Sequence, residues 1–193
     1  MLKEENVGWI QRIWRAIPEE NNINLFDDNR LFQIIHENLL KGTITGYSAE
    51  TDNFAVELKA SEIDFSNTEV LSFKIKEESF FDTKRMVMES RILGICPVVL
   101  DEETMTPKDL VWIYYPEFRS VLAQYPVMEK RVPEYVKSMD DIFFYRYFAS
   151  QITKVSNVND RAIEDYKTDA EIEEEATKFE LLSIEREHDS WVK

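Results

Sequence analysis

Apolar and polar residues alternate most clearly in the middle of the chain. Leu71, Phe73 and Ile75 alternate with Ser72, Lys74 and Lys76, the period-2 signature of a half-buried strand. In residues 85–100 the even positions run Met86, Met88, Ser90, Ile92, Gly94, Cys96, Val98 and Leu100, all small or apolar. The odd positions start polar at Glu89 and Arg91 and turn apolar at Leu93, Ile95 and Val99. This pattern predicts a strand with one face on the core and a second half covered on both faces. Pro97 has no N–H to give, which predicts a bulge or an edge position. Residues 110–115, LVWIYY, are aromatic and β-branched and read as a third strand halted by Pro116. The connectors between them, EESFFDTK (77–84) and DEETMTPKD (101–109), read as loops, the first folding its phenylalanines back on the core.

On either side of this stretch the apolar spacing turns helical. Val7, Ile10, Ile13, Trp14 and Ile17 fit a helix stopped by Pro18, although WIQRIWRAI can also run extended. Residues 19–27 read as a polar loop. Asp28 or Asn29 caps a helix to about Lys41, with Leu31, Phe32, Ile35 and Leu39 as its stripe and Gly42 past its end. Residues 43–48 read as a short strand, and 50–69 as a loop with short strands or a turn of helix. Residues 116–127 read as a short helix with proline in its first turn and Phe118, Val121 and Leu122 inward. Residues 138–157 predict the longest aromatic-faced helix, capped by Ser138 with Asp140 and Asp141 in its first turn. Thr168 and Glu171 match a capping box, opening a helix to about Trp191. Residues 161–193 carry five basic and eleven acidic side chains, so this helix reads as packed on the surface or projecting.

The predicted fold is therefore α+β: a small, mainly antiparallel sheet built on a three-strand meander over about residues 70–115, packed by helices, with a long C-terminal helix. Residues 1–166 read as a single α+β domain and 167–193 as the charged helix.

Composition narrows the function. The chain has 193 residues, 44% of them hydrophobic and 12% aromatic, enough for a real core. Its formal charge of −15 repels nucleic acid and anionic lipid; such an acidic surface reads first as a means of solubility and, functionally, as a match for a basic protein partner. No apolar run reaches the roughly 18–20 residues of a membrane span, and the first residues show no apolar segment typical of a signal peptide. The single cysteine, Cys96, excludes an internal disulfide and reads as a buried, inert thiol. His36 and His188 lie too far apart in sequence to suggest a metal pair. The carboxylates at 101–109 lack a calcium-loop framework. Adjacent helical residues point about 100° apart, so Asp140 and Asp141 cannot share a proton as a catalytic dyad does. No nucleotide loop, nucleophile elbow or metalloprotease motif is present. The sequence thus suggests no catalytic, cofactor-binding or metal-binding residue. The surplus of aromatic side chains on predicted helices suggests interfaces instead, with Phe144, Tyr147, Phe148, Phe179 and Trp191 as candidates.

Three stretches in order, ESFFDTKRMVMESRILGICPVV, WIYYPEFRSVLAQYPV and SMDDIFFYRYFASQITKVSNVNDRAIEDY, resemble the GldN/PorN family. RIWRAIPEENNIN and LFQIIHENLLKGTITGYSAE extend the likeness to nearly the whole chain. The resemblance implies a periplasmic, non-enzymatic structural subunit of the gliding-motility and type IX secretion machinery. It implies assembly into a ring with a GldK/PorK-like lipoprotein, contact with GldL/GldM-like motor components, association with peptidoglycan and self-association around the ring. It implies no cofactor and no membrane insertion. Two other readings stand beside it: a stand-alone acidic adaptor gripping a basic partner through the terminal helix, and a cell-wall hydrolase.

Overall fold

Strand pairing organises this protein more than its sequence pattern predicts. The structure, a computed structural model, describes residues 7–66, 69–128 and 132–156, with side chains from residue 10 on. Eight strands form one mainly antiparallel sheet: β1 (Val7–Pro18), β2 (Gly46–Tyr47), β3 (Glu57–Leu58), β4 (Val70–Asp82), β5 (Val87–Asp101), β6 (Thr106–Asp109), β7 (Trp112–Tyr114) and β8 (Gln151–Val155). Their order is β3-β2-β7-β5-β4-β1-β8, with β6 paired to β5. Among the described residues the α-helices are α1 (Ile23–Phe26), α2 (Arg30–Lys41), α3 (Tyr115–Leu122) and α4 (Met139–Phe144).

The chain divides into two compact units, and β1, β4 and β5 each contribute to both. The larger comprises Ala16–Ile75 and Leu93–Ser150. Its core gathers Ile17, Leu25, Phe73, Ile95, Ile113, Phe118 and Phe143, all fully buried, with Phe26 edge-on to Phe73 at 5.0 Å between ring centres. Helix α2 buries the expected stripe and ends at Gly42, whose φ of 66° suits a residue without Cβ. In α3, Phe118, Val121 and Leu122 face inward as their spacing requires. Strand β5 is buried on both faces from Gly94 to Val99. Pro97 lies where its ladder passes from β7, paired at Gly94 and Ile95, to β6, paired at Val98 through Asp101. There the missing N–H breaks neither ladder.

Among the described residues, the smaller unit comprises 7–15, Lys76–Ile92 and 151–156. Ile13, Trp14, Phe80, Ile92 and Ile152 are buried there together with Arg15, Lys76, Glu77 and Asp82. Trp14 has cations over its ring, Lys154 Nζ at 4.6 Å and Lys76 Nζ at 5.4 Å.

Several expectations need correction. Residues 7–17 form strand β1, not a helix. The consecutive Ile13, Trp14 and Arg15 are all buried, because β4 and β8 flank this strand and both its faces are covered. Residues 77–82 are not a connector: β4 continues to Asp82, with only Thr83–Met86 turning. The sheet around 70–115 is not a small three-stranded one: these residues supply four strands, β4 to β7, of an eight-stranded sheet, and the LVWIYY run gives only three strand residues. The polar loop 19–27 contains α1, which buries Leu25 and Phe26.

The predicted helix over 138–157 stops at Phe144. Arg146 turns left-handed (φ 53°), and the N–H groups of Arg146 and Tyr147 return to the carbonyls of Phe143 and Ile142. That is a Schellman ending, with arginine where glycine is usual. The β-branched QITKV that follows then pairs as β8. The predicted C-terminal helix and the boundary at 166/167 lie outside the described residues.

Candidate interaction surface

The surface around α4 begins with the capping of that helix. The N–H of Ser138 donates to Asp141 Oδ2 (2.8 Å) and the N–H of Asp141 to Ser138 Oγ (3.3 Å), a reciprocal capping box. The Asp141 carboxyl is drawn two ways. Partial burial raises its pKa, but donation from the Ser138 and Lys137 N–H groups outweighs this and holds it below the usual carboxylate range.

Asp140, the neighbouring residue, points elsewhere and ties α4 to α3. It accepts from Tyr115 Oη (2.9 Å), from Arg119 Nε (3.0 Å) and from Arg119 Nη2 (2.9 Å). The two carboxylates therefore have separate structural partners, as their angular spacing on a helix requires. Burial pushes the Tyr115 phenol up, and the Asp140 charge beside it adds to the effect. Tyr115 in turn meets Phe143 edge-on at 5.7 Å.

So anchored, α4 divides its apolar residues. Met139, Ile142 and Phe143 face the core. Phe144 remains 61% exposed and Tyr135 55% exposed, and Tyr145 and Tyr147 are exposed as well. Tyr145 stands edge-on to both Tyr135 (4.8 Å) and Phe144 (5.0 Å), and the Arg119 guanidinium lies 5.5 Å from the Phe144 ring. An aromatic strip is thus held at the surface by ring contacts and one arginine. Of the residues suggested by sequence, Phe144 and Tyr147 are exposed, Phe144 within this strip and Tyr147 past the end of α4. Phe148 is half-buried, 5.7 Å from Phe143, and serves the core. Phe179 and Trp191 lie outside the described residues. Sequence reasoning missed Tyr135, Tyr145 and Arg119. Tyr145 was available from the same FFYRY run, whereas Tyr135 and Arg119 are brought in by tertiary packing.

Several ionisable groups elsewhere make structural contacts. Cys96 is fully buried, and burial pushes its thiol far above the ordinary range. His36 packs 4.2 Å from the ring of Phe65. Lys74 pairs with Asp109 at 2.7 Å. Among the described residues, no group of three or more histidines, cysteines or acids is placed to hold a metal ion. Nor is any helix of the described residues long and apolar enough to cross a membrane.

A family model described as "Gliding motility associated protein GldN" matches residues 2–192, essentially the whole chain. No curated protein matches it.

Proposed function

Since the chain belongs to the GldN family, and so is associated with gliding motility and type IX secretion, we propose that it is a non-enzymatic structural subunit of a periplasmic ring formed with a GldK/PorK-like lipoprotein. The observation that carries this reading is the family match over residues 2–192. The aromatic strip on α4 supports it, because rigid exposed aromatics anchored by arginine are the side chains that dominate protein–protein contacts. A subunit repeated around a ring needs two different patches for head-to-tail contact, and the α4 strip is one candidate. GldL/GldM-like motor components and peptidoglycan are further proposed contacts of the assembly.

Co-expression with the lipoprotein, followed by size-exclusion chromatography and negative-stain microscopy, tests the reading. The expected result is a shared high-mass peak containing ring-shaped particles. Two independent peaks at micromolar concentration would overturn it. Incubation with purified peptidoglycan separates the hydrolase alternative, because released fragments would show turnover.

A further inference from the structure

Strand β5 is paired unevenly along its two sides. On one side β4 accompanies it. On the other, among the described residues, β7 pairs at Gly94 and Ile95 and β6 at Val98 to Asp101. No described strand pairs there with residues 88–92, which lie within the smaller unit. This stretch, between the turn at 83–86 and the start of the β7 pairing, is therefore an open edge, with Val87, Ser90 and Arg91 exposed along it.

The ladder fixes which backbone groups the edge offers. Ser79 Oγ meets Ser90 Oγ at 2.6 Å across β4 and β5, and the Leu100 N–H donates to the Glu69 C=O at 3.2 Å. Between those two contacts β5 advances and β4 retreats by the same number of residues, so no bulge shifts the alternation. Even residues of β5 thus turn their N–H and C=O toward β4, and odd ones turn theirs away. The Pro97 C=O follows that rule in accepting from the Leu110 N–H (3.0 Å) on the far side. Glu89 and Arg91 consequently present their backbone N–H and C=O groups along the open edge, with no backbone partner among the described residues.

We propose that this edge pairs antiparallel with the same edge of a second copy of the chain, about a two-fold axis through Ser90. The side chains select that occupant. With Ser90 of one copy opposite Ser90 of the other, Glu89 of each faces Arg91 of the other, and Met88 of each faces Ile92 of the other. Every charge then meets its opposite and every apolar side chain an apolar one. Pairing centred on Glu89 or on Arg91 would set like charges against each other. Neighbouring charges already have partners: Arg85 pairs with Asp82 and Glu89, and Glu78 with Arg12 at 3.7 Å. Residues 87–92 carry one charge of each sign, so the −15 of the whole chain is not concentrated at this edge. A two-fold pair differs from the head-to-tail contact of a ring, and the proposal does not rest on the ring reading.

Sedimentation velocity of the full chain, from micromolar to millimolar concentration at physiological salt, reads the pairing. The chain should pass from monomer to dimer within that range, because one short strand pair is smaller than the interface of a stable dimer. Arg91→Glu and Glu89→Arg should each weaken association tenfold or more, since like charges then face each other. Mixed in equal amounts, the two variants should associate with each other as tightly as the parent does with itself. Ser90→Cys should cross-link to a dimer under oxidised glutathione at least tenfold faster than Met88→Cys, which faces Ile92. Cys96 is fully buried and stays out of that reaction. Circular dichroism checks that each variant is folded.

Amide hydrogen exchange at Glu89 and Arg91 should be fast in dilute protein and slow as the dimer forms. Three results would overturn the proposal: a chain that stays monomeric throughout, association untouched by either charge reversal, or a mixture of the two variants that fails to recover it. So would equal cross-linking of the two cysteine variants. Slow exchange in dilute protein would assign the edge to another part of the same chain, and would overturn the proposal as well.

Discussion

Arg119 grips Asp140 with two nitrogens, Nε at 3.0 Å from Oδ1 and Nη2 at 2.9 Å from Oδ2, and so joins two helices 21 residues apart in sequence. The Asp140 side chain is mostly buried and that of Arg119 half-exposed, so the pair is worth more than a surface ion pair but less than a fully buried one. Asp140→Ala should therefore lower stability by about 1–2 kcal/mol, read from urea unfolding. It should also free the guanidinium that lies over Phe144 and loosen the aromatic strip.

Arg15 and Glu77 form a more deeply buried pair, 3.0 Å apart, with the Glu77 side chain only 1% exposed. Removing one partner takes this 3.0 Å contact away from a charge that stays buried. Glu77→Leu and Arg15→Met should each cost about 3–5 kcal/mol, whereas the double substitution should recover most of that loss. Chemical denaturation of the three variants as a double-mutant cycle checks the coupling.

Two hairpin turns share one design. Asp82 Oδ1 accepts from the N–H groups of Lys84 (2.9 Å) and Arg85 (3.0 Å), and Asp101 Oδ1 from those of Glu103 (2.9 Å) and Thr104 (3.1 Å). Four residues after each aspartate stands an exposed methionine in the left-handed region, Met86 (φ 56°) and Met105 (φ 54°). A side chain there costs about 1–2 kcal/mol, against roughly 0.5–1 kcal/mol of extra chain entropy for glycine. Met86→Gly and Met105→Gly should each raise stability by about 0.5 kcal/mol, seen as a later urea midpoint at unchanged slope.

The same aspartates set an acid limit. The Asp82 carboxyl is held below the usual range first by the Arg85 N–H and then by the Arg85 guanidinium, which also pairs with Glu89. Asp101 is held down by the N–H groups of Thr104 and Glu103. As pH falls past about 4, the unfolded chain takes up these protons before the native one does, so stability drops with them. Asp82→Asn and Asp101→Asn should be less stable than the parent at pH 7 and converge with it toward pH 2. Unfolding free energies followed by circular dichroism across that range test the sign.

These details show what the sequence could disclose. The alternation at Phe73 and Ile75, the stripe of α2, Gly42 and the Ser138 cap all follow from local rules, and all appear. Residues 7–17 and 145–155 did not yield to the same reading. Ile13, Trp14 and Ile17 satisfy helical spacing, but a strand covered on both faces has no period of its own to display. Arg146 hides the end of α4, because nothing but glycine or asparagine normally announces a left-handed stop. The interaction surface was half legible. FFYRY is visibly aromatic, yet which rings turn outward is decided by Asp140 pinning the helix to Tyr115 and Arg119.

That division of rings yields the sharpest expectation for assembly. Phe144 and Tyr145 are exposed and touch mainly each other, Tyr135 and Arg119. Phe144→Ala and Tyr145→Ala should change the stability of the isolated chain by less than about 0.5 kcal/mol, as surface substitutions do. If the strip is the anchor of a partner contact, each should weaken co-purification with the lipoprotein by about 2 kcal/mol, close to a thirtyfold loss in affinity. Phe148→Ala is the opposite control. It removes a ring that rests on Phe143 and should destabilise the chain itself. Partner binding that survives Phe144→Ala and Tyr145→Ala together would move the contact off α4, because no other ring of the strip remains flanked on both sides.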